Sequence, residues 1–411
     1  MLARRVAIVG YGTAGQALAV LLGRAGVQVE VFEQATQPGP VGAGFLLQPS
    51  GLQVLWQMGL LPEVLRHGAR IGRLYGTNAA GRGVMDIRYA ALDSRLAGVG
   101  MQRGALFELL DRAWQPRGQL HTGCRIVAIA PCLRRLTDAA GHSHGPYDLI
   151  IAADGAASLL RGQVGDVQRD QCYPWGALWC LVDAQGWEHG NELRQRYVAA
   201  RKMIGLLPVG SRPGDPTPRL SFFWSLPCDG LPAWQAQGME AWHKELRSMW
   251  PECALQMQAV QDPAQLARAH YRDAVVQQWS RGRLVLAGDA AHAMSPQLGQ
   301  GVNMALLDAW SLAGQLQQAT DLDQALAAYA RQRRAHVRIY QFWSRWLTPM
   351  FQSHHDRIAA ARDVLLGPLG RIPPGKGHML RVLTGTQHGV LGKLALEEDF
   401  IQMLDAGGRP G

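Results

Sequence analysis

Two apolar periods alternate at the start of the chain. Val6–Val9 is an unbroken and mostly β-branched run, the pattern of a short strand buried on both faces. Gln16–Ala25 spaces its apolar residues as a helix does, and Val27–Phe32 (VQVEVF) returns to a strand. Buried-strand runs recur at Leu149–Ala153 and Arg283–Ala287. Leu52, Leu55 and Leu60 share one helix face, and residues from about Val302 to Leu316 predict a longer helix. The middle of the chain reads differently, as strands at Gly176–Val182, within Arg196–Val209, and at Arg219–Leu226 (RLSFFWSL). Alternation in the last of these puts Leu220, Phe222 and Trp224 on one face and Ser221, Phe223 and Ser225 on the other. The last 70 or so residues are helical in pattern, basic, and studded with large apolar side chains.

Three glycines punctuate the first strand–helix junction. Gly10 permits a tight turn, Gly12 lets a pyrophosphate approach bare backbone, and Gly15 lets helix and strand pack closely. The helix behind them presents free N–H groups to phosphate. Glu33 closes the second strand, where a carboxylate suits ribose hydroxyls. Strand, glycine turn, helix, strand and acid together predict a dinucleotide site. They leave FAD and NAD undecided.

Composition narrows the class. With 47% hydrophobic and 18% charged residues over 411 positions, the chain is globular and large enough for two domains. The net charge of +9 arises from scattered arginines, with only four lysines, so no nucleic-acid stripe is expected. The six cysteines show no CxxC spacing, which argues against a metal knuckle and for buried thiols in a reducing cytoplasm; no metal is expected. The apolar N-terminal run is broken by glycines and lacks a cleavage signal, and no segment is long enough to span a membrane.

Two further motifs decide the cofactor. Asp154-Gly155, Ser158 and Arg161 form DGxxSxxR after a buried strand, and Gly288–Asn303 reads GDAAHAMSPQLGQGVN ahead of the long helix. With Gly10–Gly15 and Glu33, these occur in the order seen in the single-component FAD-dependent aromatic hydroxylases, the para-hydroxybenzoate hydroxylase-like family, which the chain resembles over roughly residues 1–340. The resemblance implies an α/β fold. A Rossmann-like FAD-binding domain (1–72, 100–165 and 280–340) would carry an inserted antiparallel β-sheet substrate domain (73–99 and 166–279). Residues 341–411 would form a C-terminal helical extension.

The resemblance also implies roles. Glu33 would hold the FAD ribose, Arg103 and Asp154 would lie near the pyrophosphate, and Asp289 would bond the ribityl chain. Gly299 and Gly301 would pass the isoalloxazine ring. Ala14, Gly44, Ile126 and Asn303 complete the expected cofactor set. NADH or NADPH would reduce FAD, and O2 would give a C4a-hydroperoxide that hydroxylates an aromatic or polycyclic small molecule, without a catalytic triad. His292 is expected to be a packed histidine and His354-His355 a solvated pair.

Leu206, Phe223, Trp224 and Pro296, with the pocket near Gly299, are the substrate candidates; Trp175, Trp179 and Phe222 add aromatic surface, and Arg201 and Lys202 are candidates for a substrate carboxylate. A homodimer is one candidate assembly, and the sequence does not choose the oligomeric state. Three other readings share the fold: a geranylgeranyl-reductase-type flavoenzyme, a flavin-dependent halogenase and a non-enzymatic binder of a reactive intermediate. The halogenase reading wants an early lysine and a WxWxIP run; the first lysine here is Lys202, and no such run exists.

Overall fold

The computed structural model describes residues 2–39, 42–114, 118–130, 132–369 and 373–407, with the backbone alone at 365–369 and 373–374. The helical reading of the C-terminal region also covers 370–372 and 408–411, which lie outside the described residues.

One sheet runs in the order Ser280–Arg281, Leu284–Leu286, Leu149–Ala152, Arg5–Val9, Gln28–Phe32, Gln119–His121. All pairings are parallel except that of the Ser280–Arg281 edge. Val6, Ala7, Ile8 and the whole of Leu149–Ala152 are buried, which is why these strands read as continuous apolar runs. Register aligns Val9 with Ala152 and Ala152 with Leu286. Three adjacent strands therefore end level, and the loops that leave them carry Gly10, Asp154 and Gly288 within their first two residues. Ligands bind at such carboxyl ends in open α/β sheets.

The helix Thr13–Arg24 starts directly after Gly12, three residues before the apolar pattern suggests, and packs along the helix Gly301–Gln318. Gly10 has φ +102°, and an added Cβ would lie 2.3 Å from the Ala153 carbonyl oxygen; at Gly15 it would lie 2.0 Å from that of Gly10. The turn is thus closed by two backbone approaches that any side chain would block.

A seven-stranded sheet runs Ala267–Ala269, Trp175–Asp183, Arg219–Pro227, Lys202–Pro208, Glu192–Val198, Arg73–Asn78, Gly83–Arg88. It is not wholly antiparallel as expected: Glu192–Val198 pairs with Arg73–Asn78 in parallel. The two strands come from separate insertions, so no hairpin constrains their direction. Its outer face, bearing Leu206, Phe222 and Trp224, is covered by the helices Leu231–Met249 and Pro251–Gln256, with Trp242 and Leu246 at the centre. Leu207 and Val209 on the inner face join the core of the nucleotide-binding part.

The C-terminal helical region does not begin at 341. A single helix, Leu322–Phe351, crosses that point, its buried Tyr329, Val337, Tyr340 and Ser344 forming one stripe. The helix Pro373–Leu383 leads into a loop in which the Leu383 carbonyl accepts from Gln300 Nε2 at 2.7 Å. The extension therefore braces the Gly299 turn.

Candidate active site

A groove of about 670 Å³ opens at the level strand ends. Gly10, Gly12, Glu33, Arg103, Ile126 and Asp154 all line it, together with Tyr11, Phe45, Phe107 and Arg125, which sequence reasoning passed over. A Cβ on Gly12 would meet nothing within 4 Å, so this part of the backbone is open to a ligand. The Glu33 carboxylate accepts from the Tyr11 and Ala35 backbone N–H groups at 2.9 and 2.8 Å. It orders the glycine turn and still keeps a lone pair on each oxygen for hydroxyl donors. Asp154 accepts from the Leu159 N–H at 2.9 Å through Oδ2, while Oδ1 is buried without a partner. Burial raises the pKa of this carboxyl, against the hydrogen bonds it accepts. An orphaned buried acceptor facing a groove fits a hydroxyl-bearing or hydrated ligand.

The second half of the site comes from the Gly288–Asn303 segment. Gly288, at φ +62°, turns the chain so that Asp289 begins a short helix with its carboxylate exposed. A Cβ on Gly301 would stand 3.9 Å from Asp289 Oδ1. Arg103 opens the helix Arg103–Ala113 from the opposite wall. Desolvation lowers its pKa while the Asp289 charge raises it, which places the two groups within electrostatic reach across the groove. Gly299 is left-handed (φ +61°) with open space where a Cβ would be, and the first N–H groups of Gly301–Gln318 face this turn. A flat ring against this backbone meets a helix N-terminus carrying roughly half a positive charge.

Asn303, Gly44 and Ala14 have structural duties of their own here. Asn303 is fully buried; its Oδ1 accepts from the Gln48 N–H at 2.8 Å, and its Nδ2 donates to the Leu46 and Gly299 carbonyls, both at 3.3 Å. Its side chain fixes the Gly299 turn and has no donor left for a cofactor. Gly44 is a packing glycine: its Cβ would lie 2.6 Å from Val209 and 2.9 Å from Ser221. Ala14 is buried where Gly288 meets the first helix, with 3.0 Å between its Cβ and one added at 288. Gly15 packs on Gly10, as its assigned role in the turn requires.

Two buried charge clusters hold the halves together. Arg161 donates to the Ala290, Asp289, Ala156 and Gly155 carbonyls and to Asp170, tying the Asp154 loop to the Asp289 loop. His292 Nε2 and Asp308 Oδ2 are 2.6 Å apart, and Arg333 Nε donates to Asp308 Oδ1 at 2.7 Å. Burial would raise the Asp308 pKa, but His292 and Arg333 outweigh it and hold it at about 2. The same carboxylate accepts from the Gly288 N–H at 2.8 Å, so this cluster sets the Gly288 turn. His292 is thus a packed, partnered residue.

The inner face of the seven-stranded sheet looks toward these loops. Direct cross-strand pairing places Trp179, Phe223, Gly205 and Gln195 in one row, with Trp175, Met203 and Tyr197 on the same face. None carries a charge. Phe223 packs with Tyr197, Met203 and Phe351. Leu206 and Trp224 are corrected to core: with period two, they cannot share Phe223's face, and both lie under the Trp242 helix. Lys202 pairs with Glu245 on that outer face and sits over the Trp224 ring, while Arg201 pairs with Asp356 at 2.7 Å, so neither is available on the inner face. Pro296 starts a short turn seated on the long helix, beside Ser295, whose Oγ is 2.7 Å from the Ser344 and Thr348 hydroxyl oxygens. Tyr271, which no motif flagged, accepts from Trp179 Nε1 at 3.0 Å. Burial pushes its phenol up to about 12, so its O–H proton remains at neutral pH.

Comparison with known proteins gives the family and the fold. The model of the FAD binding domain family matches residues 3–341. A 3-amino-4-hydroxybenzoate 2-monooxygenase, PtnB3, from Streptomyces platensis is 30% identical over 362 residues, covering 81% of this chain and 85% of the relative. An FAD-dependent urate hydroxylase from Klebsiella pneumoniae is 28% identical over 353 residues, covering 80% and 86%. Among solved structures, Klebsiella pneumoniae HpxO complexed with FAD and uric acid superposes with a TM-score of 0.78 at 23% identity, over 94% of this chain and 98% of that one.

Proposed function

We propose, since the chain belongs to the FAD binding domain family and is an FAD-dependent aromatic hydroxylase of the single-component kind, that it hydroxylates an uncharged aromatic or heteroaromatic small molecule with NADH or NADPH as reductant. Bound FAD supplies the redox and oxygen-activating chemistry. The chain supplies the rest. Gly10, Gly12 and Glu33 receive the adenosine and pyrophosphate, Asp154 and Asp289 accept from polyol hydroxyls, and Arg103 balances negative charge between them. The N-terminus of Gly301–Gln318 favours an electron-rich ring at Gly299. Tyr271 offers a proton donor toward a substrate oxygen, and the sheet excludes water.

The observation that carries the substrate class is the inner face itself. It presents aromatic and neutral polar side chains, and Trp175 contributes a buried indole N–H with no partner. The buried Arg362 that stacks on the Tyr197 and Phe351 rings is already paired with Asp363 at 2.6 Å, so burying a substrate carboxylate there would cost several kcal/mol. Six unpaired cysteines fit a reducing compartment such as the cytoplasm. Among the described residues, no helix is long and apolar enough to cross a membrane.

A panel of neutral aromatics and their carboxylated counterparts tests the reading. NAD(P)H oxidation is followed together with product mass. The expected result is a gain of one oxygen atom with neutral members, and kcat/KM lower by ~100-fold or more with carboxylates. Preference for the carboxylates would overturn the substrate class.

A further inference from the structure

At the adenosine end of the groove, three metal-ligand side chains meet in a small sheet behind its wall. Cys124 precedes the strand Ile126–Ile129, Asp138 ends Leu136–Asp138, and His144 lies on Ser143–His144; the three strands form one small antiparallel sheet. Asp138 Oδ1 accepts from the Ala140 and His142 N–H groups, both at 2.9 Å, and so makes the turn between the last two strands. Its other oxygen is surrounded. Asp138 Oδ2 lies 3.0 Å from His144 Nε2, 3.1 Å from His142 Nδ1 and 3.8 Å from Cys124 Sγ. Cys124 Sγ and His144 Nε2 are 3.9 Å apart. Three groups thus converge on one oxygen that has two lone pairs.

We propose that Cys124, Asp138 and His144 form a zinc-type divalent metal site with its fourth position left to water. With bonds of ~2.3 Å to sulfur and ~2.0 Å to nitrogen or oxygen, a tetrahedral ion sets its ligands about 3.3–3.6 Å apart. The three measured edges, 3.0, 3.8 and 3.9 Å, straddle that range, so small side-chain shifts seat an ion. Thiolate with imidazole selects zinc-like ions over magnesium or calcium. The His144 ring is steadied by Phe32, centroids 5.0 Å apart. The Cys124 N–H donates to the Glu33 carbonyl at 2.9 Å, and Cys124 and Arg125 line the groove. A bound ion would therefore lock the wall that faces the nucleotide.

Co2+ titrated into the FAD-loaded protein is the test, with no dependence on turnover. The expected result is one tetrahedral Co2+ per chain, seen in the red beyond flavin absorption and displaced by Zn2+. Cys124→Ala and His144→Ala are expected to weaken Zn2+ binding by ~100-fold or more, with flavin content as the control for folding. Should either variant lose flavin, X-ray absorption of the Co2+-loaded wild type decides between a sulfur-containing shell and one without sulfur. No stoichiometric ion, a shell lacking sulfur, or unchanged binding in both flavin-retaining variants would overturn the proposal.

Discussion

Replacing Arg161 by methionine is expected to uncouple the two halves of the cofactor site while filling most of the same volume. The guanidinium is 1% exposed and makes five hydrogen bonds. Three of its acceptors keep another partner in the variant: Asp170 has Arg272 at 2.8 Å, the Asp289 carbonyl has the Ala293 N–H at 3.2 Å, and the Gly155 carbonyl has the Ser158 N–H at 3.1 Å. The Ala290 and Ala156 carbonyls have no other bond among the described residues. Two orphaned carbonyls at ~1–3 kcal/mol each give about 2–6 kcal/mol, in line with ~3–5 for breaking a buried pair. The loss falls on the loops that carry Asp154 and Asp289. If only ~1.4 kcal/mol of it reaches the cofactor, FAD binding weakens about tenfold. Urea unfolding of the FAD-free protein reads the first quantity, and quenching of FAD fluorescence on binding reads the second. A stability loss under ~1 kcal/mol with unchanged FAD affinity would refute the role of Arg161 as the strut between the loops.

Two further outcomes follow from the same geometry. Phe223→Ala is expected to raise KM and reorder the substrate panel with flavin retained, whereas Trp224→Ala costs ~3–5 kcal/mol of stability and leaves the substrate order intact; steady-state kinetics and unfolding on both variants separate pocket from core. Asp308, held at about 2 against an ordinary 3.8, contributes stability that is fully present above the ordinary value and lost as pH falls through the folded one. Asp308→Asn should therefore flatten the acid limb of stability between about pH 4 and 2, which urea midpoints across that range will show; an unchanged limb would contradict the assignment.

Much of this was legible along the chain. The apolar runs at Val6–Val9 and Leu149–Ala153 predicted strands buried on both faces, because a strand covered by helices tolerates no polar alternation. Glycines at 10 and 15 announced a backbone that must approach other backbone, and the close approaches at both positions bear this out. The structural duties of Asn303 and Gly44 were not legible, because a motif gives which residues sit near a cofactor and says nothing of which neighbours they touch. Tyr271 escaped notice because it stands in no motif and reaches the site only through the fold.

Local pattern, then, determined the elements and the turn chemistry, since each depends on spacing within a few residues, while the order of motifs along the whole chain pointed to the cofactor. Tertiary structure decided which face of Arg219–Pro227 looks toward the flavin loops, because alternation defines two faces without saying which one a helix will cover. It also decided that Arg201 and Lys202 are paired elsewhere, and that Cys124, Asp138 and His144 converge. Those outcomes rest on distances of a few ångströms between segments far apart in sequence. Only the packed chain sets such distances.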